Sequence, residues 1–314
     1  MAQFKPIVRS RAFLRRSRPL GGVSPHEELI RAVRAKMDRS PVELSIVLPC
    51  HNAGPQLEAF IGSLRENLDS QVPTEIIVVS DGSTDETVRI AGDFASDTVR
   101  VFHYPDRLGK GHALRVGLNQ ARGDYVAFID SDGDIDPEAI APFFSLMRLY
   151  HPDIVLGSKR HPMSEVDYPR LRRFLSWAYH VIGRVLFRIK VRDTQTGLKL
   201  IRRDVLAAVL PRMFEKRYAF DLELLVVARR LGFTRILEAP VKIHYRFSSN
   251  VNPTAAFLIL LDTAAIFYRR YILNSYGPAA DVRRGAWWPS REREARPREE
   301  TEPTRSGPTR SQPP

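Results

Sequence analysis

The sequence predicts an α/β protein, with a mostly parallel sheet covered by helices on both faces. Two observations carry this. Short apolar runs recur at 44–48, 75–79, 99–104, 125–129 and 153–156. Between several of them lie segments with helical spacing, for example Leu57, Phe60, Ile61 and Leu64. Strands that alternate with helices pair in parallel, because each helical crossover brings the chain back to the same end of the sheet. Ligands of such sheets sit beyond the carboxyl ends of the strands. The residues just after each run are therefore the first candidates for chemistry.

The 314 residues suffice for one large α/β domain with appendages. The net charge of +12 is unevenly placed. Residues 1–43 hold ten Lys/Arg against four Asp/Glu, and 274–314 hold eight against six. A basic end on a nearly balanced body points to an anionic surface, either a membrane leaflet or a nucleic acid. A single cysteine, Cys50, excludes an internal disulfide and fits a reducing compartment. The basic residues 1–20 lack the following apolar run of a secretory signal.

Residues 1–43 are expected to be a basic extension with one helix. That helix starts at Ser24-Pro25-His26-Glu27, with Leu29, Ile30, Val33 and Met37 on one face. Residues 44–250 form the α/β domain. Residues 251–275 contain the apolar stretch from Ala255 to Leu273, broken by Asp262, Arg269 and Arg270. It reads as an amphipathic helix lying on a membrane rather than spanning it. Residues 276–314, rich in Arg, Glu, Pro, Ser and Thr, read as a disordered tail. There are no internal repeats.

Run 75–79 leads into Ser80-Asp81-Gly82-Ser83-Thr84-Asp85-Glu86. Ser83 and Glu86 have capping-box spacing, and Asp81 stands where a carboxylate can accept from a nucleobase; a plain capped turn is the alternative. Leu108-Gly109-Lys110-Gly111 precedes a helical pattern from Ala113 to Ala121. Its glycines admit a ligand close to the backbone, and Lys110 adds a positive charge for phosphates. Run 125–129 ends in Asp130-Ser131-Asp132, with Asp134 two further on. Hard divalent ions such as Mg²⁺ or Mn²⁺ take one or two such carboxylates plus substrate phosphates. A calcium loop is excluded, because Ile135 stands where its glycine is required. An acidic turn capping the helix that begins at Pro137 is the competing reading. Lys159 and Arg160 follow run 153–156, and Arg172 and Ser176 lie one helical turn apart. They suit a phosphate monoester, or else form a solvated face. Asp221 and Glu223 either orient sugar hydroxyls or basic side chains, or begin the helix that runs to Arg230.

In order, the segments Ile46-Val47-Leu48-Pro49-Cys50-His51-Asn52, SDGSTDET, GKGHALRVGL, ARGDYVAFIDSDGD and DIVLGSKR resemble glycosyltransferase family 2, whose fold is called GT-A. The resemblance covers about residues 44–250. RDTQTGLKLIRRDV and RYAFDLELLVVA look like the polyprenyl-phosphate sugar synthases, above all the dolichyl-phosphate glucosyltransferase branch and then the mannosyltransferase branch. It implies a hexose donor (UDP-glucose first, GDP-mannose next), a polyprenyl phosphate acceptor and inversion at the anomeric centre. It also implies a divalent metal and a site on the cytoplasmic face of a membrane. Pro49, Asn52 and Asp81 would line the nucleoside pocket. Asp130 and Asp132, beside Ser131, would hold the metal, with Asp134 at a position that is often polar. Lys159, Arg172 and Ser176 would receive the acceptor phosphate, and Arg246 would reach the diphosphate or the acceptor. This chain departs from relatives at Ala53, where glutamate is common, at Ser80, where an acid is common, and at Lys159, where arginine is common.

Three rivals remain at this stage. A processive polysaccharide synthase would show Gln-x-x-Arg-Trp and several spanning helices, and the sequence has neither. A nucleic-acid-binding module would need stacking aromatics in its basic arm, which offers Phe4 and Phe13. A scaffold without catalysis sits poorly with the intact Asp130/Asp132 pair.

Overall fold

The computed structural model describes residues 42–68, 72–166, 179, 181–215, 219–243 and 253–277. The expected N-terminal helix, the tail beyond 277, and Arg172, Ser176 and Arg246 lie outside the described residues.

The chain runs β1 (Leu44–Cys50), α1 (Gly54–Asn67), β2 (Thr74–Asp81), α2 (Thr87–Asp93), β3 (Val99–Tyr104), α3 (Lys110–Gln120) and β4 (Tyr125–Ile129). A short 3-10 turn, Pro137–Ala139, then leads into α4 (Ile140–Tyr150). After it come β5 (Ile154–Gly157), β6 (Glu165–Val166), β7 (Leu198–Arg202), α5 (Arg203–Val209), α6 (Phe220–Arg230), β8 (Ile236–Ala239), β9 (Lys242–Ile243) and α7 (Pro253–Tyr271). Seven strands make one sheet in the order β3-β2-β1-β4-β7-β5-β8, and β6 pairs with β9. Within the large sheet β7 is the antiparallel member, set between β4 and β5. The other pairs are parallel.

All seven residues of β1 are buried, as a strand covered on both faces requires. Its side chains alternate between two cores. Val47 packs with Ile77, Val79 and Phe128 beneath Ala113, Leu114 and Leu118 of α3. Ile46 and Leu48 pack with Val78 and Ile129 beneath Leu57, Phe60, Ile61 and Leu64 of α1 and Ile140, Phe143 and Met147 of α4. Each fully buried Leu, Ile or Phe contributes about 1.5–3 kcal/mol. The two cores therefore fix the sheet between its helix layers and aim the strand ends at one edge.

The expected capping box does not form. Ser83 Oγ instead accepts from the Asn52 amide and from Ser80, and α2 starts at Thr87 without a side-chain cap. Tertiary partners on the β1–α1 turn outcompete the local cap.

Helix α7 packs on the body through Thr263 and Ile266, both buried, and Tyr276 behind it is fully buried. Tyr276 donates to Glu223 of α6 at 2.5 Å. Among the described residues no helix is long and apolar enough to cross a membrane.

Candidate active site

The strand order turns at β1: β2 and β3 extend to one side and β4 to the other. Such a switch point opens a crevice at the strand carboxyl ends. Here it is a cleft of about 670 Å³, lined by Pro49, Asn52, Asp81, Lys110, Asp130, Ser131 and Asp132, with His51, Gln56, Arg107 and Leu108 among the other walls. The residues read from four separate strand ends and loops thus meet in one place.

Each is set by its element. Asp81 closes β2, and its two oxygens accept from the backbone N–H groups of Leu108 (2.7 Å) and Gly109 (2.9 Å). The loop comes that close because Gly82, at φ +62°, has no side chain; a Cβ there would meet the Arg107 nitrogen at 2.5 Å. Asp81 therefore anchors the loop that leads into α3. Asn52 bridges to the same region, its side chain accepting from the Thr84 amide at 2.9 Å. Ser131 donates to the Pro49 carbonyl at 2.8 Å, tying β4's end to β1's.

Lys110 opens α3, whose N-terminus has no side-chain cap and adds positive potential. Its ammonium lies 2.7 and 2.8 Å from the two oxygens of Asp130 and 3.7 Å from Asp221. Asp221 is also held by Lys199 at 2.5 Å, and Lys199 donates to the Thr196 carbonyl. Lys199 is fully buried within β7. The result is an alternating row, Asp130–Lys110–Asp221–Lys199.

The electrostatics follow from burial and neighbours. Desolvation lifts the Asp130 carboxyl above its ordinary range, opposed by Lys110 and reinforced by Asp132 and Asp221. Desolvation lifts Asp132 too, against the Asp134 amide and with the Asp134 charge. Burial would also raise Asp221, but Lys199 and Lys110 hold it low. For Lys110 the neighbouring Asp130 and Asp221 outweigh desolvation and raise its pKa. Cys50 is pushed up to about 12 by burial, then by Asp85 and Asp81, so it is a neutral thiol and no nucleophile.

Three carboxylates, Asp130, Asp132 and Asp221, face two ammonium groups, Lys110 and Lys199. The hard oxygen donors of Asp130 and Asp132 fit a divalent cation, and an ammonium already stands on Asp130 as a cation would. The three-acid set expected with Asp134 is not assembled: among the described residues no three His, Cys, Asp or Glu side chains gather for a metal. The Asp134 amide donates to Asp132 Oδ1 at 3.1 Å, forming a tight local turn, and Asp134 does not line the cleft.

Lys159 is held near the cleft but does not line it. Its amide donates to Asp193 Oδ2 at 3.1 Å, and its charge is felt at Asp132 and Asp221. Several residues that organise the site are absent from the sequence-based set: His51, Arg107, Asp193, Gly197 and Lys199. The DTQTGLK segment carries three of them, Asp193, Gly197 and Lys199. That segment was the available signal.

Fold and crevice together define an α/β protein with a polar ligand cleft at the strand carboxyl ends. Residues 45–210 match the family described as Glycosyl transferase family 2, and the chain belongs to that family. It is 36% identical over 205 residues to Glycosyltransferase AglD of Haloferax volcanii, a match covering 64% of this chain and 33% of AglD. The chain thus spans about a third of that protein. It is 31% identical to Dolichyl-phosphate beta-glucosyltransferase ALG5A of Trichomonas vaginalis, over 74% of this chain and 76% of the relative. Against the mouse dolichyl-phosphate beta-glucosyltransferase, identity is 31% over 62% of this chain and 65% of the relative. The fold resembles that of Mycobacterium tuberculosis glucosyl-3-phosphoglycerate synthase, with a TM-score of 0.56, 22% identity, and coverage of 76% of this chain and 84% of that one. That enzyme's structures include a complex with Mn²⁺, UDP and phosphoglyceric acid.

Proposed function

We propose that this glycosyltransferase moves a hexose from a nucleotide diphosphate sugar to the phosphate of a polyprenyl lipid, inverting the anomeric centre. UDP-glucose is the favoured donor and GDP-mannose the next. The observation that carries the reading is the meeting of Asp130 and Asp132 with Pro49, Asn52 and Asp81 in one cleft. The dolichyl-phosphate glucosyltransferase relatives supply the acceptor class.

Asp130 and Asp132 would hold Mg²⁺ or Mn²⁺, which when bound neutralises charge on the leaving diphosphate. Pro49, Asn52 and Asp81 shape the nucleoside end, and Lys110 with the α3 amides faces the phosphates. An acceptor phosphate oxygen attacks the anomeric carbon as its bond to the diphosphate breaks, and the nucleoside diphosphate leaves with that electron pair. The attacking oxygen is already an anion near neutral pH, so no side chain need remove a proton. The protein acts by positioning and by fixed charge. Lys159, Arg172 and Ser176 would receive the acceptor phosphate, and Arg246 the diphosphate or the acceptor. The acceptor headgroup lies at a bilayer surface, so the reading places the protein on the cytoplasmic face of a membrane. It assigns no role to nucleic acid.

The test is transfer of label from a panel of UDP- and GDP-sugars to polyprenyl phosphate with Mg²⁺ or Mn²⁺. Label entering the organic phase, and lost on chelation, supports the reading and names the sugar. Donor binding without transfer to the lipid overturns the acceptor assignment.

A further inference from the structure

The place a cation would take on Asp130 is filled by a group of the chain itself. Lys110 Nζ straddles both Asp130 oxygens, at 2.7 and 2.8 Å. On its other side is Asp221, 3.7 Å away. The two carboxylates differ in freedom. Asp221 is buried and pinned by Lys199, itself fully buried and tied to the Thr196 carbonyl. The Asp130 side chain is a quarter exposed at the cleft. Lys110 is equally exposed and carries a flexible stem from the first residue of α3. An ammonium on a flexible stem thus stands between a fixed carboxylate and the one expected to ligate metal.

We infer that Lys110 is an internal gate on the metal site. It neutralises Asp130 before loading, then moves toward Asp221 and the incoming diphosphate when metal and nucleotide enter. The inference rests on the metal-dependent reading above. Its physical basis is competition for the same two oxygens. A divalent ion arriving alone must displace the ammonium from Asp130. A diphosphate arriving with it offers that ammonium new anionic partners. Metal and nucleotide are then coupled through Lys110, and by linkage each strengthens the other's binding. Asp221 and Lys199 are positioning residues: beyond the direct charge of Asp221 at Asp130, they act on the metal site through Lys110.

The experiment is Mn²⁺ binding to the full chain, read from the electron paramagnetic resonance signal of free Mn²⁺, with and without UDP. Wild type should bind Mn²⁺ weakly alone and more tightly with UDP. K110M should bind Mn²⁺ alone roughly tenfold more tightly, about 1.4 kcal/mol, while the gain from UDP shrinks. Removing the second partner should act in the opposite direction. K199M/D221N deletes the buried pair without net charge change and without leaving one partner unpaired. It should weaken Mn²⁺ binding, and that weakening should be largely lost when combined with K110M, as a double-mutant cycle reads directly. Circular dichroism checks each fold, and K110Q replaces K110M if the latter does not fold. Wild-type binding that needs Asp132, with K110M no tighter than wild type, overturns the gate alone. Wild type that ignores Mn²⁺ even with UDP, and transfers sugar in chelator, overturns the metal reading instead.

Discussion

A Cβ added at Gly197 would fall 1.9 Å from Oδ2 of Asp130. The Gly197 carbonyl also accepts from the Asp130 amide at 3.1 Å. The end of β4 is thus seated directly on the turn into β7, and only a residue without a side chain fits beneath the carboxylate. G197A should push the Asp130 carboxylate aside while leaving the buried cores intact. Misplacement on the ångström scale costs about 10²-fold in rate. A loss of that order in sugar transfer, with unchanged far-UV circular dichroism, is expected. Near-normal turnover would show that the position of the Asp130 carboxylate is not critical.

Asp132 lies at the cleft mouth, exposed yet carrying a raised carboxyl. D132A should lower kcat by about 10²–10³-fold, about 2.7–4 kcal/mol, if it removes a preorganised electrostatic group. Excess Mn²⁺ should recover part of the loss only if Asp130 still binds the ion. Radiolabel transfer across a Mn²⁺ series measures this. A variant with ordinary turnover removes Asp132 from the metal role.

Asp81 holds the loop before Lys110 by two backbone hydrogen bonds. Its loss leaves two amides to find new partners, at about 1–3 kcal/mol. D81A should therefore weaken UDP binding by roughly tenfold or more, measured by calorimetry. Unaltered UDP affinity would mean the loop keeps its shape without the anchor.

The parallel part of the sheet is legible because the central strands β1, β2 and β4 are buried along almost their whole length and carry apolar runs, and edge strand β3 still alternates Val99, Val101 with polar residues. β7 is not. Its sequence, Leu198-Lys199-Leu200-Ile201-Arg202, carries a lysine at a fully buried position. That lysine is tolerable only because Asp221 reaches it from α6, and pairing between segments so far apart leaves no local periodicity. The same holds at the site. Asp130, Asp132 and Asp81 announce themselves at strand ends, whereas the Lys110–Asp130 contact and the Gly197 seat exist only once β4, β7 and α3 are assembled. Asp221 had two open readings, a helix start or a partner for basic side chains, and it serves as both, since α6 begins one residue earlier. Within the apolar stretch of α7, Ile266 is fully buried in the core rather than turned outward.

Glu223 of α6, which meets Tyr276 and Arg269, gives a pH signature. Its Oε2 accepts from the Phe214 and Glu215 amides at 2.9 and 2.8 Å, and its Oε1 from Tyr276. Burial nonetheless outweighs these bonds and raises its carboxyl above the ordinary value of about 4.3. The folded state then holds its proton to higher pH than the unfolded state. Stability from this group is full below the unfolded value and is lost as pH rises through the folded one. Compared with E223Q, wild type should lose stability as pH climbs from about 4.3 upward. Urea midpoints of both proteins across that range give the difference, and a flat difference contradicts the raised carboxyl.

Helix α7 has two unlike faces. Thr263 and Ile266 point into the body, while Phe257, Leu260, Leu261 and Tyr268 are exposed, followed by Tyr271, Ile272 and Leu273. Residues 257, 261 and 268 recur at helical spacing, so they share one stripe. Under the lipid-acceptor proposal such a stripe is the expected membrane contact, and Arg270 beside it suits anionic headgroups. Each large side chain taken fully out of water contributes about 1.5–3 kcal/mol. These are about half covered already, so the gain is about 1 kcal/mol apiece. F257S/L261S/I272S should then lower binding to anionic vesicles by roughly 10²-fold in a flotation assay. Transfer to a short, water-soluble polyprenyl phosphate should persist, because no residue changed lines the cleft. Equal loss of both activities would place the stripe in the fold rather than at the membrane. Undiminished flotation would move the contact surface elsewhere.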